Sequence, residues 1–169
     1  MTRELLLARR DYFNMVHGVT IRGIATLSDH ELEFRPMARS RTPRELIFHI
    51  YAQEKLLAEA ARDGRFTMEA AIGSNPEDPS NASAVAALAT VKEAVAFAHS
   101  YHDAAEAIFK SMSDEDVARP VESFMGTYPA WQFFLFAYDE HWHHRGQLYV
   151  YLRLLGKEPP NLYDYRSPG

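Results

Sequence analysis

Apolar residues recur along most of the chain at steps of three and four, the spacing of helices that bury one face. The pattern predicts four long helices, the first over residues 4–27, the second from Thr42 onwards, the third over 84–112 and the fourth over 130–155. No segment alternates convincingly with a period of two, so we expect no sheet. Helices of about 20 to 28 residues span roughly 30 to 42 Å, which is the geometry of a helix bundle.

The boundaries of the second helix indicate how the bundle is connected. Thr42, Pro43 and Glu45 combine a capping threonine, a proline in the first helical position and a glutamate that completes a capping box. The segment after this helix, 63–83, is too long for a tight hairpin and predicts a crossover between two parallel neighbours. The chain is therefore predicted to be an all-α four-helix bundle with a long crossover loop between the second and third helices, forming one domain over 1–169.

Composition narrows the classes of function. The net charge is −5, which argues against a surface that follows a nucleic-acid backbone. The chain has no cysteine, so it has neither a thiolate metal ligand nor a cysteine nucleophile. No run of about 18 apolar residues predicts a membrane span. Arg9 and Arg10 interrupt the first apolar stretch, which does not resemble a signal peptide, so we expect a cytoplasmic protein.

Histidines fall on the apolar faces of three of the predicted helices. They are His49 on the second helix, His102 on the third, and His141 and His144 on the fourth. A buried imidazole must form a hydrogen bond or bind a metal ion. Two interpretations therefore stay open: ordinary hydrogen-bonded core histidines, or a metal site built across the bundle.

The fourth helix places several possible ligands within little more than one turn. At about 100° per residue, Glu140 lies about 40° and His141 about 60° from His144, so either could share a metal ion with His144. His143 points about 100° away from His144 and is interpreted as an exposed or supporting imidazole.

Three sequence segments resemble the DinB/YfiT-like family, metal-binding bundles named for a damage-inducible bacterial protein. "HHRGQLYVYLRLLGKEPP" looks like the C-terminal signature of that family. "RTPRELIFHI" is similar to its second-helix motif, and "LSDHELEFRP" to the join between its first two helices. The resemblance covers nearly the whole chain and implies a metal-binding four-helix bundle.

By position, the resemblance makes His49 the first metal ligand and His144 the last. The family commonly has another histidine four residues before the last ligand, where this chain has Glu140, with His141 beside it. Glu140 is favoured by its position, and His141 by the apolar face and by the affinity of imidazole for nickel and zinc. Both stay open as the third ligand, and so does the participation of His102. The expected metal is a divalent transition ion, nickel or zinc first, with iron or manganese as alternatives.

Three polar residues near the candidate ligands are expected to support them. Asp139, Gln147 and Gln53 could accept the second N–H of a metal-bound imidazole.

Three protein ligands leave metal positions open to water or substrate, as in catalytic sites. The resemblance favours thiol chemistry, because characterised relatives include low-molecular-weight-thiol S-transferases and a mycothiol-dependent maleylpyruvate isomerase. The expected partners are therefore a small-molecule thiol and an electrophile. A metal-dependent hydrolase and a non-catalytic metal-binding stress-response protein are the alternatives. DNA binding is suggested only by the family name, and the acidic charge balance opposes it.

The fourth helix also carries more aromatic residues than one buried face can take. Its segment "WQFFLF", residues 131–136, predicts that part of the helix packs against another subunit. Members of the family are typically homodimers, and we expect the same here.

Overall fold

A computed structural model describes residues 1–165 of the chain. The predicted domain, 1–169, also includes residues 166–169, which lie outside the described part. The helices in chain order are α1 (Arg3–Ala25), α2 (Pro43–Asp63), α3 (Met68–Ile72), α4 (Ala82–Ala86), α5 (Val91–Ser111), α6 (Asp114–Ala118) and α7 (Ala130–Leu154). Three short strands complete the described elements: β1 (Arg65–Phe66), β2 (Pro120–Ser123) and β3 (Gly126–Pro129). Single 3₁₀ turns lie at Asp29–Glu33 and Pro79–Asn81.

The four long helices α1, α2, α5 and α7 form the predicted bundle. Helices α2 and α5 are parallel neighbours, since Phe48 stacks on Phe97 and, further along both helices, Glu54 bonds to His102. Helix α7 packs against the other side of α2 and runs antiparallel to it. The all-α bundle with a crossover between parallel helices is confirmed.

The third long helix begins later than its apolar spacing predicted. The predicted helix over 84–112 is split into α4 and α5, and α5 begins only at Val91. Thr90 caps α5 by accepting a hydrogen bond from the backbone N–H of Glu93 at 3.2 Å, and the Glu93 carboxylate accepts from Thr90 in return. Leu88 and Val91 are spaced as in a continuous helix, so apolar periodicity alone hid this capping box.

The prediction that the chain has no sheet is wrong in one small region. Strands β1, β2 and β3 form a three-stranded sheet in that order. Strand β1 pairs with β2 in parallel, and β2 pairs with β3 antiparallel. The strands have two to four residues each, too few to show a period of two. Phe66 and Val121 point from this sheet into the core, so the sheet closes one end of the bundle.

The predicted start of α2 is confirmed, and this start helps to fix the residues that follow. Thr42 accepts a hydrogen bond from the backbone N–H of Glu45 at 3.2 Å, and the Glu45 carboxylate accepts from the backbone N–H of Thr42 at 2.7 Å. Pro43 occupies the first position of the helix. His49 lies less than two turns beyond this cap, so its position on the α7 side of the bundle depends on a well-defined helix start.

Apolar side chains fill the bundle in two separate clusters. One cluster contains Phe13, Phe109 and Phe134, and the other contains Ile24 and Leu148, all of them almost fully buried. Among the described residues, no helix is long and apolar enough to cross a membrane.

Candidate metal centre

The antiparallel pairing of α2 with α7 brings His49, Glu140 and His144 together. One ligand atom from each of these residues lies within 4.8 Å of the other two. The Oε2 atom of Glu140 is 3.2 Å from Nε2 of His144 and 3.6 Å from Nε2 of His49. Two ligands about 2.1 Å from a tetrahedral zinc ion are about 3.4 Å apart, so these separations match a shared metal ion.

The two imidazoles are oriented by their other nitrogen atoms. Nδ1 of His49 donates to the backbone carbonyl of Ser74 at 2.7 Å, and Nδ1 of His144 donates to Oε1 of Gln147 at 2.8 Å. Because both partners are acceptors, Nδ1 of each ring carries a proton, and Nε2 of each ring points toward Glu140, where it can donate a hydrogen bond to the carboxylate or, without its proton, bind a metal ion.

The third member of the group, Glu140, carries negative charge at neutral pH. Its hydrogen bonds with His144 and then His49 hold the pKa of this carboxyl well below its ordinary value, although partial burial opposes the shift. One carboxylate oxygen and two imidazole Nε2 atoms therefore face a common point. A divalent cation satisfies all three at once, so the donor set fits a transition metal.

His141, the rival third ligand, does not belong to this group. Its side chain is fully buried and its Nε2 lies 2.8 Å from Oγ1 of Thr20. The ring packs edge-on against Phe13 and Tyr51. Burial lowers the pKa of His141 well below its ordinary value, and the nearby Arg145 adds to that effect. The angular offset that seemed small from sequence turns this imidazole into the core and away from the cleft.

His102 also lies apart from the candidate metal group. Its Nδ1 is 2.9 Å from Glu54, its Nε2 is 2.9 Å from Asn14, and its ring stacks on His17 at 3.8 Å between centroids. The ordinary interpretation, a hydrogen-bonded core histidine, therefore describes His102. His143 is exposed; it lies 3.2 Å from Gln147, and its ring packs edge-on against that of His144.

Of the three residues expected from sequence to support the ligands, one contacts a ligand directly, one acts through another residue, and one makes no such contact. Gln147 contacts His144 directly. Gln53 accepts a hydrogen bond from the hydroxyl of Ser74, whose carbonyl orients His49. Asp139 is exposed and has no hydrogen bond to these ligands in the described part of the chain. Ser74 itself was missed, because the partner is a loop carbonyl, which no side-chain pattern reveals.

A cleft of about 480 Å³ opens beside His144. Its wall is formed by the segment before α2, by Glu77 of the crossover and by the last turns of α7. The volume lies within the range of small-molecule sites, about 300 to 1,000 Å³. His144 is the member of the candidate metal group that lines this cleft, and the Glu140 side chain is 42% exposed, so the group is not sealed from solvent.

The buried histidines predict how stability depends on pH, and His17 is the clearest case. Burial, reinforced by the nearby His102, His99 and Arg10, holds the pKa of His17 far below its usual 6.5. Below pH 6.5, His17 therefore binds a proton in the unfolded chain but not in the folded chain. The contribution of His17 to the free energy of unfolding is fully present above pH 6.5. It is lost as the pH falls, by about 1.4 kcal/mol per pH unit for one such group.

Urea unfolding at pH 7.5 and pH 5.0 measures this effect. We expect a lower free energy of unfolding at pH 5.0, and a smaller difference in His17→Gln. The exposed His30 provides the control, because His30→Gln should leave the pH profile unchanged. Equal pH profiles for wild type and His17→Gln would contradict the assignment.

Comparison with known proteins agrees with this class of helix bundle. The DinB family model matches residues 1–168, and the chain belongs to the DinB family. A DinB-like protein from Bacillus subtilis (YjoA) has a similar crystal structure, with a TM-score of 0.70 at 21% sequence identity. That alignment covers 91% of this chain and 95% of the other, and it shows a shared fold. Curated proteins give no match.

Proposed function

We propose that this protein is a metal-dependent enzyme that transfers a low-molecular-weight thiol to a small electrophile. The observation that carries the proposal is the convergence of His49, Glu140 and His144, of which His144 also lines an open cleft. Three ligands leave room for a substrate atom on the metal, as catalytic sites require. A purely structural or storage site would have no need of the cleft.

The chemistry divides between the bound metal and the chain. His49, Glu140 and His144 would hold a nickel or zinc ion, which when bound lowers the pKa of a thiol and supplies thiolate at neutral pH. The thiol sulfur then forms a bond to an electrophilic carbon, while the leaving group departs with its electron pair and the thiol proton passes to solvent. The chain has no cysteine that would compete for the metal.

The remaining groups would position substrates and hold the ligands. Ser74 and Gln147 fix the imidazole tautomers, so both Nε2 lone pairs stay turned to one point. Apolar side chains of Met37 and Val150 line the cleft and would contact the electrophile. The family resemblance supports a thiol as the second substrate, and we expect both substrates to be met in the cytoplasm.

Hydrolysis is the second candidate, and the carboxylate in the ligand set is the observation that favours it. Two histidines with one glutamate also form the ligand set of hydrolytic zinc sites, where a bound water is activated. The two reactions differ in one requirement, since transfer needs an added thiol and hydrolysis needs only water.

An assay with a chromogenic electrophile separates these candidates. Metal-loaded protein should turn over only when a thiol such as bacillithiol, mycothiol or glutathione is present, and His49→Ala should reduce the rate at least about 100-fold. His30→Ala, which removes an exposed histidine outside the candidate metal group, is the matched control and should retain the wild-type rate. Turnover that occurs without thiol and is not raised by any of the three would contradict the transferase and support hydrolysis.

We also propose that the protein is a homodimer. Trp131, Leu135 and Phe136 on α7 are only partly buried, and the hairpin residues Phe124 and Met125 expose 46% and 45% of their surface. Clustered apolar exposure of this kind marks interfaces. Light scattering at micromolar concentration should give about twice the 19.3 kDa of one chain. A mass equal to one chain would refute the dimer.

A further inference from the structure

The segment that leads into α2 is rich in arginine, and its arginines are not all neutralised. Arg35 pairs with Glu45 at 2.8 Å, and Arg44 pairs with Glu33 at 2.6 Å. Within the described part of the chain, Arg39 has no ion-pair partner. Arg35 and Arg44 are therefore neutralised by ion pairs within the protein, whereas the charge of Arg39 is available to a ligand.

The available charge lies in the cleft beside the candidate metal centre. Arg39 and Arg41 both line the 480 Å³ cleft that reaches His144. The one ion pair of Arg41 among the described residues joins its Nε to Glu77 Oε1 at 3.5 Å, and the Glu77 side chain is 66% exposed. An exposed pair of this kind is weak and yields readily to a competing anion.

The rest of the cleft limits the kind of anion that fits. Met37 and Val150, which line the cleft, are 71% and 52% exposed overall, and the hydroxyl-bearing ring of Tyr151 adds a further wall. A small inorganic anion would leave these apolar surfaces in water. An organic molecule with a carboxylate at one end and an apolar or thiol-bearing body would cover them.

We infer that Arg39 and Arg41 form a carboxylate-binding subsite, which selects an anionic thiol or electrophile for the neighbouring metal centre. Guanidinium groups suit this role because their planar N–H donors match the two oxygens of a carboxylate. The inference rests on the proposed function for the location of the reacting group. The recognition of the carboxylate itself requires no turnover and can be measured separately.

Isothermal titration of zinc-loaded protein with three probes tests the subsite. Glutathione carries both thiol and carboxylates, S-methylglutathione carries only the carboxylates, and 2-mercaptoethanol carries only the thiol. Arg39→Ala and Arg41→Ala should each weaken binding of the first two probes about fivefold and leave 2-mercaptoethanol unchanged. Binding of the two anionic probes should also weaken with added salt.

Two further variants sharpen the test. Glu77→Gln removes the carboxylate that competes for Arg41, so it should tighten S-methylglutathione binding about twofold, the opposite sign to loss of an arginine. Arg9→Ala, exposed on α1 outside the cleft, should change none of the affinities. Circular dichroism of each variant confirms that the bundle is intact.

The outcomes separate the subsite from the proposed function. Absence of S-methylglutathione binding to the wild type, or equal affinities in wild type and both arginine variants, would overturn the carboxylate subsite. Equal affinities for glutathione and S-methylglutathione, with no binding of 2-mercaptoethanol, would support the subsite and contradict thiol binding at the metal.

Discussion

Replacing His49 by alanine is expected to abolish stoichiometric binding of a divalent transition metal. His49 is the only member of the group supplied by α2, and without it Glu140 and His144 remain as an i, i+4 pair on the surface of one helix. Loss of even a residue that only supports a ligand lowers metal affinity about 10- to 100-fold, so loss of a direct ligand should exceed about 100-fold. Metal analysis after dialysis against a weak chelator measures the difference.

Two other histidines provide comparisons for this variant. His144→Ala should behave like His49→Ala, while His30→Ala, which removes an exposed histidine outside the group, should still bind one metal ion per chain. Affinity should fall as the pH is lowered, because protons compete with the metal ion for the imidazole nitrogens. Unchanged metal content in both His49→Ala and His144→Ala would show that the metal binds elsewhere.

The largest effect on stability is expected from Arg10→Ala. The Arg10 guanidinium is fully buried, 3.4 Å from the equally buried Glu54 and 2.5 Å from Glu106. Burial alone would raise the pKa of Glu106, but Arg10, with hydrogen bonds from Lys110 and Asn14, lowers it to about 2. Removing Arg10 leaves the fully buried Glu54 without a permanent counter-charge, and loss of one partner of a buried ion pair destabilises proteins by about 3 to 5 kcal/mol.

Arg9, the residue adjacent to Arg10, provides the control for this variant. Arg9 is exposed on the same helix, so Arg9→Ala should change the free energy of unfolding by no more than about 0.5 kcal/mol. Urea unfolding of both variants at pH 7.5 measures the difference. Similar unfolding free energies for Arg10→Ala and wild type would mean that the carboxylates re-solvate or become protonated without loss, contrary to their burial.

The long helices were predictable because their apolar faces repeat over five or more turns. The start of α2 was equally clear, since Thr42, Pro43 and Glu45 each favour the same boundary. The break before Val91 was missed because the apolar spacing continues across it. The small sheet was missed because its pairing joins Phe66 to a hairpin more than fifty residues away, and such contacts leave no local pattern.

The candidate site shows what helical periodicity can and cannot predict. It placed His49, His102, His141 and His144 on inward faces, and all four are at least partly buried. It did not specify how far along the bundle each histidine lies or which neighbouring helix it faces. The sequence therefore could not show that His102 and His141 lie outside the candidate metal group. The position-based resemblance favoured Glu140, which the structure places between the two histidines.

The polar network in the bundle centre could not be predicted from one sequence. Glutamate is typically a surface residue, and the burial of Glu54 and Glu106 depends on the three-dimensional approach of partners, above all Arg10. Two residues of this network, His17 and His99, are hydrogen-bonded to each other across α1 and α5. Pairing of this kind depends on the register of two helices, which apolar spacing leaves undetermined.

Anomalous diffraction from crystals of the protein, loaded with zinc and measured at the zinc absorption edge, tests the metal centre most directly. The predicted result is one strong peak per chain, about 2.0 to 2.2 Å from Nε2 of His49, Nε2 of His144 and a carboxylate oxygen of Glu140. A peak coordinated by His141 or His102, or a strong peak away from α2 and α7, would contradict the account.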